Sequence, residues 1–149
     1  MDLEARVRFA AERDGLWRPG DTILAAVSGG PDSTALLHLL WRLSGECGFA
    51  LAAAHVNHGF RGEESEREAA FVRRLCGELG VPLDEVRYDL PSYIEEAGMN
   101  AQAAAREKRY AFLREAAARR GAARIALAHH ADDQAETVLM RIIRGTGTS

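Results

Sequence analysis

Apolar and polar positions along the chain fall into an alternation of short continuous runs and longer amphipathic stretches. Thr22 to Val27 and Phe49 to Val56 are unbroken apolar runs; Val81 to Tyr88, flanked by Pro82 and Pro91, gives a third strand and Arg124 to Ala128 a fourth run. Continuous rather than alternating hydrophobicity suits strands buried on both faces, as in a parallel sheet. Between them the apolar residues take helical spacing. Leu3 to Arg13 places Val7, Ala10 and Ala11 on one side, and Gly15 with the Arg18-Pro19-Gly20-Asp21 turn ends it. Leu16 and Trp17 are expected to pin this helix to the sheet. Pro31 to about Leu43 carries Ala35, Leu36, Leu39 and Leu40, and 44–48 is expected to be a loop. Glu63 to Leu79 has a stripe of Val72, Leu75, Cys76 and Leu79 and stops at Gly80. Its acidic start (Glu63, Glu64, Glu66, Glu68) suits a solvated face. Residues 91–100 are irregular, Asn100 is placed to cap a helix from Ala101 to about Arg120, and Gly121 ends it. A last helix, with Ala135, Val138, Leu139 and Ile142 towards the core, is expected after the fourth strand. Strand–helix alternation of this kind predicts one α/β domain.

The junction after the first run is the most informative stretch. Ser28-Gly29-Gly30-Pro31-Asp32-Ser33 joins a strand to a helix start, with Pro31 suited to the first helical position. A glycine turn feeding a helix start gathers free N–H groups and the positive end of the helix dipole, which binds anions and phosphate above all. No lysine precedes Ser33, so this is not a Walker A loop. Asp32 sits in the first turn instead. Beside a phosphate it needs a bridging cation, of which magnesium is the usual one; without a phosphate it complements the helix dipole.

Composition narrows the class. The 149 residues are 47% hydrophobic with a formal net charge of −3, so the chain can bury a core and carries no global basic excess. No apolar run is long enough to span a bilayer and the charged N-terminus is unlike a signal peptide, so a cytoplasmic protein with no membrane partner is expected. The two cysteines, Cys47 and Cys76, make neither a disulfide framework nor a zinc knuckle. Cys76, on an apolar stripe, is expected to be a packed thiol.

Three further strings carry chemistry. The second run ends in His55-Val56-Asn57-His58-Gly59-Phe60-Arg61, where open parallel sheets collect ligands beyond their strand ends. The segment suits one wall of a nucleotide site; His55 itself suits burial in the sheet, and Asn57 and Gly59 also suit a turn. In the helix from Ala101, Arg106 and Arg109 have no carboxylate three or four residues away and repel each other by a few tenths of a kcal/mol. Unpaired cations among alanines point to an anionic partner. The fourth run delivers His129-His130-Ala131-Asp132-Asp133-Gln134-Ala135-Glu136-Thr137 to the strand ends. Asp133 and Glu136 also have capping-box spacing. Two histidines and two aspartates there suit a transition metal, but the glycine loop already calls for a nucleotide and magnesium.

The loop resembles the pyrophosphate-binding loop of the ATP pyrophosphatases. Taken with His55 to Arg61, Ala103 to Tyr110, His129 to Thr137 and Arg141 to Gly147, the chain is similar to the N-terminal catalytic domain of the tRNA(Ile)-lysidine synthetase family. That resemblance implies a doubly wound, Rossmann-like α/β fold of the adenine-nucleotide hydrolase type, mostly parallel with helices on both faces. It implies a C–N bond-forming ligase acting on an isoleucine tRNA with a CAU anticodon. ATP adenylates the wobble cytidine C2 oxygen, pyrophosphate leaves, and the amine of free L-lysine displaces AMP. It places Ser28, Gly29, Gly30, Pro31, Asp32 and Ser33 on the ATP phosphates, with Asp32 on Mg2+, and His55, Asn57 and His58 beside the adenosine. It makes Asp32, Arg106, Arg109, His129, Asp132, Asp133 and Glu136 the catalytic set. The family continues past this segment, so the chain is expected to be C-terminally truncated, to lack a fifth strand and to retain ATP binding at best; a homodimer stays open. The alternatives are another ATP pyrophosphatase, such as a tRNA thiolase, and a non-catalytic adenine-nucleotide-binding domain.

Overall fold

The computed structural model describes residues 3–59, 62–88, 100–129 and 139–144. Helices α1 (Leu3–Asp14), α2 (Pro31–Cys47), α3 (Glu63–Leu79) and α4 (Ala101–Arg120) surround strands β1 (Thr22–Ala26), β2 (Ala50–Asn57), β3 (Leu83–Arg87), β4 (Arg124–His129) and β5 (Leu139–Arg144). The sheet runs β3-β2-β1-β4-β5, with the first four strands parallel and β5 antiparallel to β4. Strand order reverses between β1 and β4. The crevice beyond their carboxyl ends is therefore where a doubly wound sheet binds ligands.

Two apolar layers hold the sheet. One face packs Ile23, Ala25, Val27 and Ala53 against Leu36, Leu37 and Leu40 of α2, Val72 and Cys76 of α3, and Ala11 of α1. The other packs Leu24, Ala52, Ala54 and Ile125 against Phe112, Leu113, Ala116 and Ala117 of α4. Trp17 does pin the N-terminal segment, its ring centroid 4.8 Å from that of Phe49. Asn100 caps α4, its side chain accepting from the Ala103 N–H at 2.8 Å. At the other end of α4, Arg120 donates to both Asp84 carboxylate oxygens, at 2.6 and 3.1 Å, and so ties the helix to the β3 edge.

Two expectations need correction. Residues 44–47 are not a loop but the last turn of α2, closed by Gly48 in the left-handed region (φ 78°), whose N–H reaches the Ser44 carbonyl at 3.0 Å. A glycine inside a helix costs only about 1 kcal/mol, and Leu43 and Cys47 repay it by packing on the core. The predicted last helix is also not formed at Leu139 and Ile142, which lie in β5. The six residues Leu139 to Arg144 fit either periodicity, and the adjacent β4 offers a full backbone ladder from Arg124↔Arg144 to His129↔Leu139. The sheet thus gains an antiparallel fifth strand from a stretch expected to be helical. Ala135 and Val138 lie outside the described residues.

Candidate active site at the strand ends

One cleft of about 1180 Å³ opens beyond the carboxyl ends of β1, β2 and β4. Ser28, Gly29, Gly30 and Pro31 form one side, and Arg106, Arg109 and Tyr110 of α4 face them. Small apolar residues of the sheet, including Ala26, Ala54, Val56 and Leu127, make the floor. An apolar floor with a few convergent polar groups is the ordinary make-up of a small-molecule site.

The phosphate-loop geometry follows from its residues. Gly29 has φ 93°, a conformation that favours glycine, and a Cβ there would press on the Glu68 side chain, 3.3 Å from its Cβ. Gly30 is the N-cap of α2 and no side chain caps the helix, which leaves the positive helix end to an anion. The Ser33 hydroxyl is buried and used within the loop. It accepts from the Ser28 N–H at 3.0 Å, lies 3.0 Å from Ser28 Oγ and 3.3 Å from the Gly30 carbonyl. Thr34 Oγ1 donates to the same carbonyl at 2.8 Å. The loop is thus cross-braced before any ligand arrives.

Arg109 is half-buried and no carboxylate pairs with it among the described residues. Burial pushes its guanidinium below the ordinary arginine value; Tyr110 opposes this with a smaller effect, and the like charge of Arg106 adds a still smaller one in the lowering direction. Arg106 is exposed and lies over the Tyr110 ring, 5.4 Å from its centroid. Two cations facing an apolar cleft opposite an uncapped helix end make a site for a multiply charged anion.

The other expected residues divide by strand parity. Ala54 and Val56 lie on the cleft side of β2, and His58, just past the strand's end, also lines the cleft. Ala53, His55 and Asn57 lie on the α3 side. His55 is buried with Nδ1 2.7 Å from the Val27 carbonyl. Asn57 shapes the turn, donating to Glu66 at 3.2 Å and accepting from the Gly59 N–H at 3.1 Å. Neither side chain is in the described cleft lining. Asp32 is half-buried in the first turn of α2 and is not among the residues that line the cleft. His129 ends β4 and pairs with Leu139 across the ladder. Asp132, Asp133 and Glu136 lie outside the described residues.

Sequence reasoning missed Glu68, set among the solvated acids of α3. It lines the cleft beside Gly29. Its signal was its position four residues before Val72, on the stripe that packs against the sheet. Among the described residues no group of three histidine, cysteine or acidic side chains is gathered as a metal site. Magnesium held chiefly by nucleotide phosphates needs only one or two protein carboxylates, and Asp32 and Glu68 are the acids beside the loop.

Fold and site together define an open-sheet α/β protein with an anion-binding loop at its topological switch point. The PP-loop domain family matches residues 3–149, and the chain belongs to that family. It is 47% identical over 146 residues to the tRNA(Ile)-lysidine synthase of Dehalococcoides mccartyi, covering 98% of this chain and 31% of that protein. Against the enzyme of the same name from Geobacillus kaustophilus it is 44% identical over 141 residues, 95% of this chain and 30% of the other. The chain therefore spans about three-tenths of the length of these relatives. In fold it is similar to the U34-tRNA thiolase NcsA of Methanococcus maripaludis (TM-score 0.69, 24% identity, 85% of this chain and 43% of that one). It is also similar to the NH3-dependent NAD synthetase of Campylobacter jejuni (TM-score 0.60, 18% identity, 85% and 56%).

Proposed function

We propose that this chain is the ATP-binding, adenylating part of an enzyme that converts the wobble cytidine of an isoleucine tRNA with a CAU anticodon to lysidine. The observation that carries the reading is the facing of two unlike anion-binding elements across one cleft: the uncapped start of α2 and Arg109, which no carboxylate pairs with among the described residues. The relatives' activity supplies the rest.

In this reading the backbone of 28–31 and the helix end hold the ATP polyphosphate, and the apolar floor of Ala54, Val56 and Leu127 takes the base. Mg2+, held by Asp32 with Glu68 beside it, would neutralise charge on the phosphates. Arg109 and Arg106 stabilise the negative charge that spreads over phosphate oxygens as the cytidine C2 oxygen attacks and pyrophosphate departs. His129, Asp132, Asp133 and Glu136 belong to the edge where the free lysine amine must lose a proton before it displaces AMP. Thiolation gains no support from the cysteines: Cys76 is buried under α3 and Cys47 packs at the end of α2, neither lining the described cleft.

The test, on the full-length protein, is lysine incorporation into a CAU-anticodon tRNA transcript with ATP present, read together with AMP and pyrophosphate release. Lysine-dependent AMP release supports the reading. Turnover that ignores lysine and needs a sulfur donor would replace it with thiolation. ATP retained with no pyrophosphate released, with tRNA and lysine both present, would reduce the chain to a nucleotide-binding module.

A further inference from the structure

His55 sits outside the cleft lining, yet it touches the phosphate loop at its root. Its Nδ1 is 2.7 Å from the Val27 carbonyl oxygen, which only accepts, so Nδ1 carries the proton and donates. The nitrogen of the same peptide unit, the Ser28 N–H, is held by Ser33 Oγ at 3.0 Å. A peptide unit is planar, with C=O and N–H pointing in opposite directions. Gripping both ends fixes its rotation about the line joining the two Cα atoms. The next residue is Gly29 at φ 93°, followed by the cap of α2. The orientation of the 27–28 peptide therefore sets the direction in which the loop leaves β1.

A packing role does not account for histidine here. His55 is 3% exposed and its Nε2 is buried with no partner among the described residues. A buried unmatched acceptor is unfavourable, and an apolar side chain of similar size would avoid it. What histidine adds is its single bond to Val27.

We propose that His55 is a positioning residue of the phosphate loop: with Ser33 it clamps the Val27–Ser28 peptide so that the loop stands ready for a polyphosphate. This rests on the nucleotide reading of the cleft, and it assigns His55 to the loop rather than to the adenosine. The clamp acts on phosphate binding and not on the base.

The test compares the full chain with His55→Leu, which has no donor, and His55→Asn, whose amide nitrogen takes the place of Nδ1. Dissociation constants for ATP and for adenosine are measured by calorimetry, and exchange of the Ser28 amide by NMR. The expected result is ATP affinity about tenfold weaker in the leucine variant, the effect of one well-placed hydrogen bond. Adenosine affinity should be unchanged and the asparagine variant close to the native protein. Equal weakening of both ligands, no weakening, or no rescue by asparagine would overturn the clamp. Should the native chain fail to bind ATP, the nucleotide reading falls and the Ser28 amide decides the clamp separately. Faster exchange in the leucine variant alone supports it, and equal exchange in all three proteins refutes it. If the leucine variant does not fold, His55→Met, which also lacks a donor, takes its place.

Discussion

Replacing Arg109 by methionine removes a charge while keeping much of the stem, and stability and binding should then move in opposite directions. The guanidinium is half-buried, faces the cleft and has no counterion among the described residues, with Arg106 as a like-charged neighbour. Without ligand, its removal relieves a desolvation cost and a repulsion of a few tenths of a kcal/mol. The melting temperature should hold or rise by about 2 °C, since about 1 kcal/mol moves a chain of this size by roughly 2–4 °C. With ATP bound, a guanidinium about 4 Å from a phosphate charge interacts by about 4 kcal/mol at an effective dielectric of about 20. Desolvating the phosphate takes back part of that, so the net is nearer the 1.5–3 kcal/mol of a bond between charged groups. ATP affinity should fall roughly ten- to hundredfold. Calorimetric titration and thermal melting on the same preparation measure both. A melting temperature lowered by several degrees with ATP affinity intact would refute the reasoning, because it would show that Arg109 is held by a structural acid.

Three other outcomes are expected. Asp32→Ala should weaken ATP binding in the presence of magnesium far more than in its absence; an equal loss in both titrations would assign the acid to the helix dipole. Gly29→Ala must place a Cβ at positive φ, 3.3 Å from that of Glu68, and should cost about 1–2 kcal/mol, visible as a melting point lower by a few degrees; an unchanged melt would show that the loop adapts. Burial pushes the Cys76 thiol up to about 11 from an ordinary 9.0, so the stability it contributes is complete below about pH 9 and is lost as pH rises towards 11. At pH 8 an alkylating reagent should modify Cys47 well before Cys76, and equal rates would contradict the packing described.

Much of the fold was written in local signals. Helices α3 and α4 begin and end where predicted because Asn100, Gly80 and Gly121 act within a turn of the residues they cap. β1, β2 and β4 could be read to within about two residues because burial on both faces leaves continuous apolar runs. The errors fell where tertiary contacts decide. Gly45 looked like a stop, but core packing carried α2 past it. Leu139 to Arg144 became a strand because β4 had a free edge. Within the site, sequence gave residue types without their facing. Glu68 is one of several acids on α3 until the helix is seen to lay it against Gly29. His55 and His58 are three residues apart, yet His55, within β2, lies under the loop while His58, just past the end of that strand, lines the cleft.

The central claim is that the turn after Val27 holds the polyphosphate of a nucleotide, with Arg109 closing on it from α4. A crystal structure of the protein soaked with a non-hydrolysable ATP analogue and magnesium tests it most directly. The account predicts phosphate density against the backbone of 28–31, within hydrogen-bond reach of Arg109, and the base over Ala54, Val56 and Leu127. Nucleotide density elsewhere on the molecule, or a bound nucleotide whose phosphates point away from that turn, would contradict it.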